Sequence, residues 1–65
     1  MDAPLTPKAA ADMIGVKADT LKAWRYRKQG PRWVKIGSGP RGFIRYHREE
    51  VERWLVENTT APDDG

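Results

Sequence analysis

Gly15 divides the first half of this chain into two short amphipathic segments, and that punctuation constrains the fold more than any other feature of the sequence. Ahead of it, Thr6-Pro7 reads as a helix start: the threonine oxygen can accept an orphan amide bond as N-cap, and proline fits the first helical position without losing a needed N–H. The first helix is expected to run to about Ile14. Leu5, Ala10, Met13 and Ile14 form its apolar stripe, and Gly15 suits a left-handed C-terminal cap. Beyond the turn and Val16, the spacing predicts a second helix over Ala18 to Lys28, with Leu21 and Trp24 on one face and Gln29-Gly30 ending it. Two short helices joined by a glycine turn make a helix-turn-helix.

Sixty-five residues make at most one domain, and one this small buries only a modest share of its surface. There is no cysteine, so no disulfide framework or zinc-thiolate site can staple it. The core must come from packing alone. No apolar run approaches a membrane span, and Met1 to Pro4 lacks the charged and apolar segments of a secretory signal, so the expectation is a soluble, cytoplasmic protein with no membrane partner.

The stretch WVKIGSGPRGFIRY, from Trp33 to Tyr46, contains two strand-like runs joined by a connection longer and richer in glycine than a hairpin needs. Residues directly opposite one another share a face, so the register can be sought by keeping charge out of the core. Pairing Ile36 with Ile44 and Val34 with Tyr46 points all four inward and sets Lys35 opposite Arg45 outside, a like-charge pair that calls for a nearby anion. Shifting by one residue would pair Ile36 with Phe43 and bury Arg45. The first register is therefore expected, with Phe43 and Trp33 outward and a loop from Gly37 to Phe43. A third helix follows over about Arg48 to Glu57, where Val51, Trp54 and Leu55 repeat at core spacing and Glu49 and Glu50 suit the positive N-terminal end. NTTAPDDG carries no apolar pattern and reads as a disordered acidic tail, leaving a domain over residues 5–57 between flexible tails at 1–4 and 58–65.

Net charge is only +3, but its distribution is uneven. From Lys17 to Arg48 ten Lys or Arg face one acid, Asp19, so that segment carries +9; the remainder, with two bases and eight acids, carries −6. A surface without a partner would intersperse the signs, because like charges repel, so this block points to a polyanion. Double-stranded DNA fits better than a membrane, since no basic helix carries a bulky apolar face.

The expected fold class is mainly α with a small β-hairpin: a winged helix-turn-helix, with a helix entering the major groove and the long loop reaching a neighbouring groove or the backbone. Glycines let that loop approach DNA closely, Pro40 limits the freedom lost on binding, and Arg41 is placed to probe a narrow minor groove. Lys35, Ser38, Arg41 and Arg45 are the candidate wing contacts.

LTPKAAADMIGVKADTLKAWRYRKQGPRWVKIG followed by FIRYHREEVERWL resembles the phage and plasmid excisionases, or recombination directionality factors, and their MerR-like and AlpA-like winged-helix relatives, over Leu5 to Leu55. The resemblance implies an architectural protein that binds DNA beside a recombination site, several copies side by side, bends it and turns an integrase toward excision. It implies that Ala18 to Lys28 is the recognition helix. The helical wheel agrees: with Leu21 and Trp24 inward, Asp19, Lys22, Ala23 and Tyr26 form the opposite stripe. Lys22 can reach guanine acceptors or phosphate, Asp19 can accept from cytosine, Ala23 can touch a thymine methyl, and Tyr26 can bond a phosphate or base edge. Lys17 and Thr20 at the helix start, and Arg25 and Arg27 beside the stripe, complete the candidate set, with the arginines assigned to phosphates. Relatives often carry Ser where Lys17 stands and Arg where Ala23 stands, so a weaker cap and modest base readout are expected.

Trp24 and Trp54 read as core. Outward Trp33 either lies along DNA, packs on the chain termini or contacts a neighbouring protomer; Trp33, Glu49 and Glu52 are the candidates for self-association, acidic helix of one copy to basic face of the next, and His47 reads as a capping or surface residue. No acidic pair with a nucleophile, metal-ligand cluster or phosphate-binding glycine motif is present, so neither an enzyme nor a metal, cofactor or small-molecule ligand is expected. The alternatives are a small MerR-like or AlpA-like transcriptional regulator, which the sequence does not separate from an excision factor, and, ranked below both, a protein-interaction module.

Overall fold

The computed structural model describes residues 3–60. Its elements run α1 (Pro7–Ile14), α2 (Ala18–Tyr26), β1 (Val34–Ile36), a 3-10 turn (Gly39–Arg41), β2 (Phe43–Arg45) and α3 (Arg48–Glu57). This is a winged helix-turn-helix: α1 packs against both α2 and α3, and the two strands form an antiparallel hairpin.

Local chemistry explains the first three boundaries. Thr6 caps α1, its side-chain oxygen accepting from the Ala9 amide at 3.1 Å, with Pro7 in the first turn. Gly15 ends the helix in the left-handed region, φ 93°, and its N–H bonds back to the Ala11 carbonyl. No side chain caps α2 at Lys17, as expected there. The far end of α2 comes sooner than Lys28. Lys28 itself takes the left-handed conformation, φ 57°, and the Gln29 and Lys28 amides bond back to the Trp24 and Arg25 carbonyls. That pair of reverse bonds closes a helix at Tyr26 with lysine where glycine is usual. Gly30, φ 81°, then lets the chain pass over Trp24: a Cβ at residue 30 would lie 2.7 Å from Trp24 Cε3.

Among the described residues five side chains form the buried hydrophobic core: Ala10 and Ala11 of α1, Leu21 of α2, Tyr46 just after β2, and Val51 of α3. Leu5, Met13, Ile14, Val16, Trp24, Ile44 and Leu55 pack around them. Trp54 is half-buried and meets Trp24 instead, ring centroids 5.3 Å apart and tilted 43°. The core tryptophans thus form a pair at its margin. Asn58 and Thr59 were expected to open the tail; instead they close α3, the Asn58 amide group and the Thr59 hydroxyl donating to the Trp54 and Leu55 carbonyls. Residues 1–2 and 61–65 of the expected tails lie outside the described residues.

The hairpin register is the one the sequence argument rejected. Val34 pairs with Arg45, Lys35 with Ile44, and Ile36 with Phe43, and Phe43 belongs to β2 and not to the loop. The rejected register was expected to bury Arg45, and it does not. β2 turns Ile44 and Tyr46 toward the helices, whereas Arg45 lies on the other face with its guanidinium 4.5 Å from the Phe43 ring centroid. Lys35, across from Ile44, runs its aliphatic stem over Gly42, where a Cβ would collide with it, and remains exposed. A flexible stem can lie along backbone while its charge stays wet, so a lysine does not forbid an inward strand position. Val34 and Ile36 fall on the outer face, Ile36 being 39% exposed. So small a core has room for one row of hairpin side chains.

Two glycine replacements should separate backbone strain from packing. Gly15→Ala meets open space and should cost about 1–2 kcal/mol for its left-handed φ alone. Gly30→Ala carries the same strain and also drives a methyl into the Trp24 ring, so its thermal melt should fall further than that of Gly15→Ala.

Candidate nucleic-acid interface

The stripe expected to face DNA is on the surface of α2. Asp19, Lys22 and Tyr26 are exposed, Tyr26 at 79%, and Ala23 is half-buried between them. Lys17 and Arg27 are exposed at the two ends, and Thr20 is half-buried. Asp19 stands in the first turn, where a carboxylate suits the helix dipole.

Arg25 has a different setting from the one assigned to it. It is half-buried, and its guanidinium donates to the Tyr46 hydroxyl at 3.0 Å, lying 5.9 Å from that ring's centroid. The only acceptor it was given in sequence reasoning was phosphate. A fully buried tyrosine must place its hydroxyl somewhere, and one turn of α2 supplies the donor. Tyr46 was expected inward; nothing in its spacing to Arg25, 21 residues away, points to the bond.

The loop between the strands contains Gly37 and Gly39 at positive φ, 88° and 59°, with Gly39–Arg41 wound into the 3-10 turn that the Gly42 amide closes on the Gly39 carbonyl. Arg41 and Ser38 are exposed on it. Lys35 and Arg45 do not form the expected cross-strand pair and lie on opposite faces of the hairpin, so no outward like-charge pair stands there to call for an anion. Arg45 also donates to the Ile44 carbonyl at 2.7 Å, which helps to hold its guanidinium over the Phe43 ring.

Trp33 was placed outward beside Phe43. It lies one residue ahead of β1 and instead faces α2: with Lys22, Arg25, Tyr26 and Ile44 it lines a cleft of about 380 Å3 between that helix and the hairpin. The cleft depends on the hairpin register, so no local sequence signal marks it. Glu49 and Glu52 are exposed on α3, and His47 stands at the N-cap without a side-chain cap bond. Among the described residues no helix is long and apolar enough to cross a membrane. Nor does any group of three or more His, Cys, Asp or Glu among them gather where a metal ion could sit.

Compared with known families, residues 4–59 match the model described as a helix-turn-helix domain. No curated protein and no solved structure matches the chain significantly.

The Arg25–Tyr46 bond yields a stability prediction. Tyr46→Phe keeps the ring and removes the acceptor, and should cost about 1 kcal/mol of folding stability. Tyr46→Ala empties the middle of the core and should cost about 3–5 kcal/mol, enough to unfold most of a domain this size in a thermal melt.

Proposed function

The chain belongs to the helix-turn-helix domain family, and we propose from that premise that it is a sequence-specific architectural protein of double-stranded DNA, an excision factor that works in several copies. The observation that carries the DNA reading is the joining of an exposed, cation-bearing face of α2 to a glycine-rich wing within one basic segment. In this reading α2 enters the major groove with Asp19 and Ala23 toward the bases and with Lys22 and Tyr26 within reach of a base edge or a phosphate. Lys17 and Arg27 hold phosphates at its ends, and Arg41 reaches a minor groove from the 3-10 turn. Arg25 keeps further N–H donors beyond the one used on Tyr46, and these remain for a phosphate.

The array follows from how little one copy can read. Lys17 leaves α2 uncapped, and Ala23 stands in the middle of the reading stripe, so repeated sites supply the discrimination. Exposed Glu49 and Glu52 on α3, of opposite sign to the basic segment, suit a head-to-tail contact between neighbours, a heterologous contact that does not close into a dimer. The arrayed copies bend the DNA and present it to an integrase for excision.

Binding should be strongly salt-dependent, with a log-log slope of about −4 to −5 for some five neutralised phosphates. Affinity that does not change with salt would remove the charge argument. Lys22→Ala should weaken binding and flatten the slope by about 0.9, whereas Arg53→Ala, on α3 outside the basic block, should change little. Arg41→Ala should cost about 1–3 kcal/mol of specific binding and leave the melt of the free protein alone. For the array, footprinting and gel-shift titration on DNA with one, two and three sites should show affinity per site rising with site number. Equal affinity per site throughout, or a two-fold dimer without DNA, would favour a small transcriptional regulator.

A further inference from the structure

We infer that the cleft between α2 and the hairpin is a seat for one deoxyribose-phosphate unit of the DNA backbone, with Trp33 as its apolar wall. The inference rests on the duplex-DNA reading and adds a contact that neither the helix stripe nor the wing tip supplies. Trp33 is 40% exposed and shares the cleft with the Tyr26 ring and Ile44, while Lys22 and Arg25 provide the cations. Arg25 and Trp33 also line a second hollow, with exposed Lys28 and Arg32. The indole therefore supplies apolar surface to two basic hollows.

Geometry selects the occupant. A helix in one groove and a wing reaching the next are separated by the sugar-phosphate strand that divides the grooves, so whatever lies between α2 and the hairpin must straddle that strand. Its chemistry matches the lining: a sugar with apolar C–H faces, joined to a phosphate anion that Lys22 and the free donors of Arg25 can reach. A stacked base has no face to offer there, because its planes are covered by its neighbours. The Tyr46 bond fixes Arg25 on the cleft wall before DNA arrives, which reduces the ordering cost of the contact.

The test uses a short duplex carrying one site, selected by the wild-type protein from a random pool and titrated at several salt concentrations. Trp33→Ala should weaken binding about tenfold, the scale of one apolar side chain's lost contact, with the salt slope unchanged because no cation has been removed. Trp33→Phe should retain most of the affinity. Should Trp33→Ala melt too low to compare, acrylamide quenching of wild type against Trp33→Phe isolates the Trp33 signal, which DNA should shield. Undiminished binding by a folded Trp33→Ala, or an unshielded Trp33, overturns the assignment while leaving the DNA reading intact. A loss seen only as lost cooperativity on two-site DNA also overturns it and places Trp33 against a neighbouring copy. Failure of the wild-type protein to select or bind any duplex overturns the DNA reading itself.

Discussion

Tyr46 is the residue through which the parts of this small fold hold one another. Its ring is completely buried among the three helices. Its amide and carbonyl both pair with Leu5, at 2.9 and 2.6 Å, which ties the strand of the hairpin to the segment leading into α1. Its hydroxyl accepts from Arg25 on α2. One residue thereby joins the hairpin and the entry to the first helix through its backbone, and the exposed second helix through its side chain. With a buried core of five hydrophobic side chains among the described residues, and no cysteine in the chain, few other contacts reach so many elements. The angle between α2 and the hairpin, and with it the cleft that contains Trp33, depends on that connection.

Marginal packing also explains the departures from an ideal layout. Each three-residue strand turns only one or two side chains toward the helices, and the opposite face stays half-open, with Ile36 and Phe43 more than a third exposed. Arg45 covers part of this face by lying over the Phe43 ring, where a cation gains from the aromatic quadrupole without leaving water. Trp24 and Trp54 behave similarly at the other margin: their rings meet at a tilt, and the chain passes above Trp24 through Gly30, where no side chain stands.

The fold and the exposed α2 stripe were readable because each rests on short-range chemistry. Thr6, Pro7 and Gly15 bound the first helix through capping and φ preference within a few residues, and the 3.6-residue period separates Leu21 and Trp24 from Lys22 and Tyr26. The third helix runs over Arg48–Glu57 as its spacing of Val51, Trp54 and Leu55 implies. Lys28 was less legible: glycine two residues later is the usual stop signal, whereas the reverse bonds at Lys28 and Gln29 are formed by a residue with no special preference for the left-handed region.

Sequence alone therefore determined the order of elements, the core faces of the three helices, the glycine-rich wing and the concentration of positive charge from Lys17 to Arg48. Tertiary structure alone decided the hairpin register, the direction of Trp33 and the partner of Arg25. Periodicity identifies which residues alternate, but in a two-stranded hairpin it does not say which row faces the helices when each row mixes apolar and cationic side chains. Ile44 and Tyr46 face inward in either register; the choice concerned β1, which turns Lys35 and not Val34 and Ile36 toward the helices, because a lysine stem can cross a glycine with its charge in water and an arginine can lie over a ring outside the core.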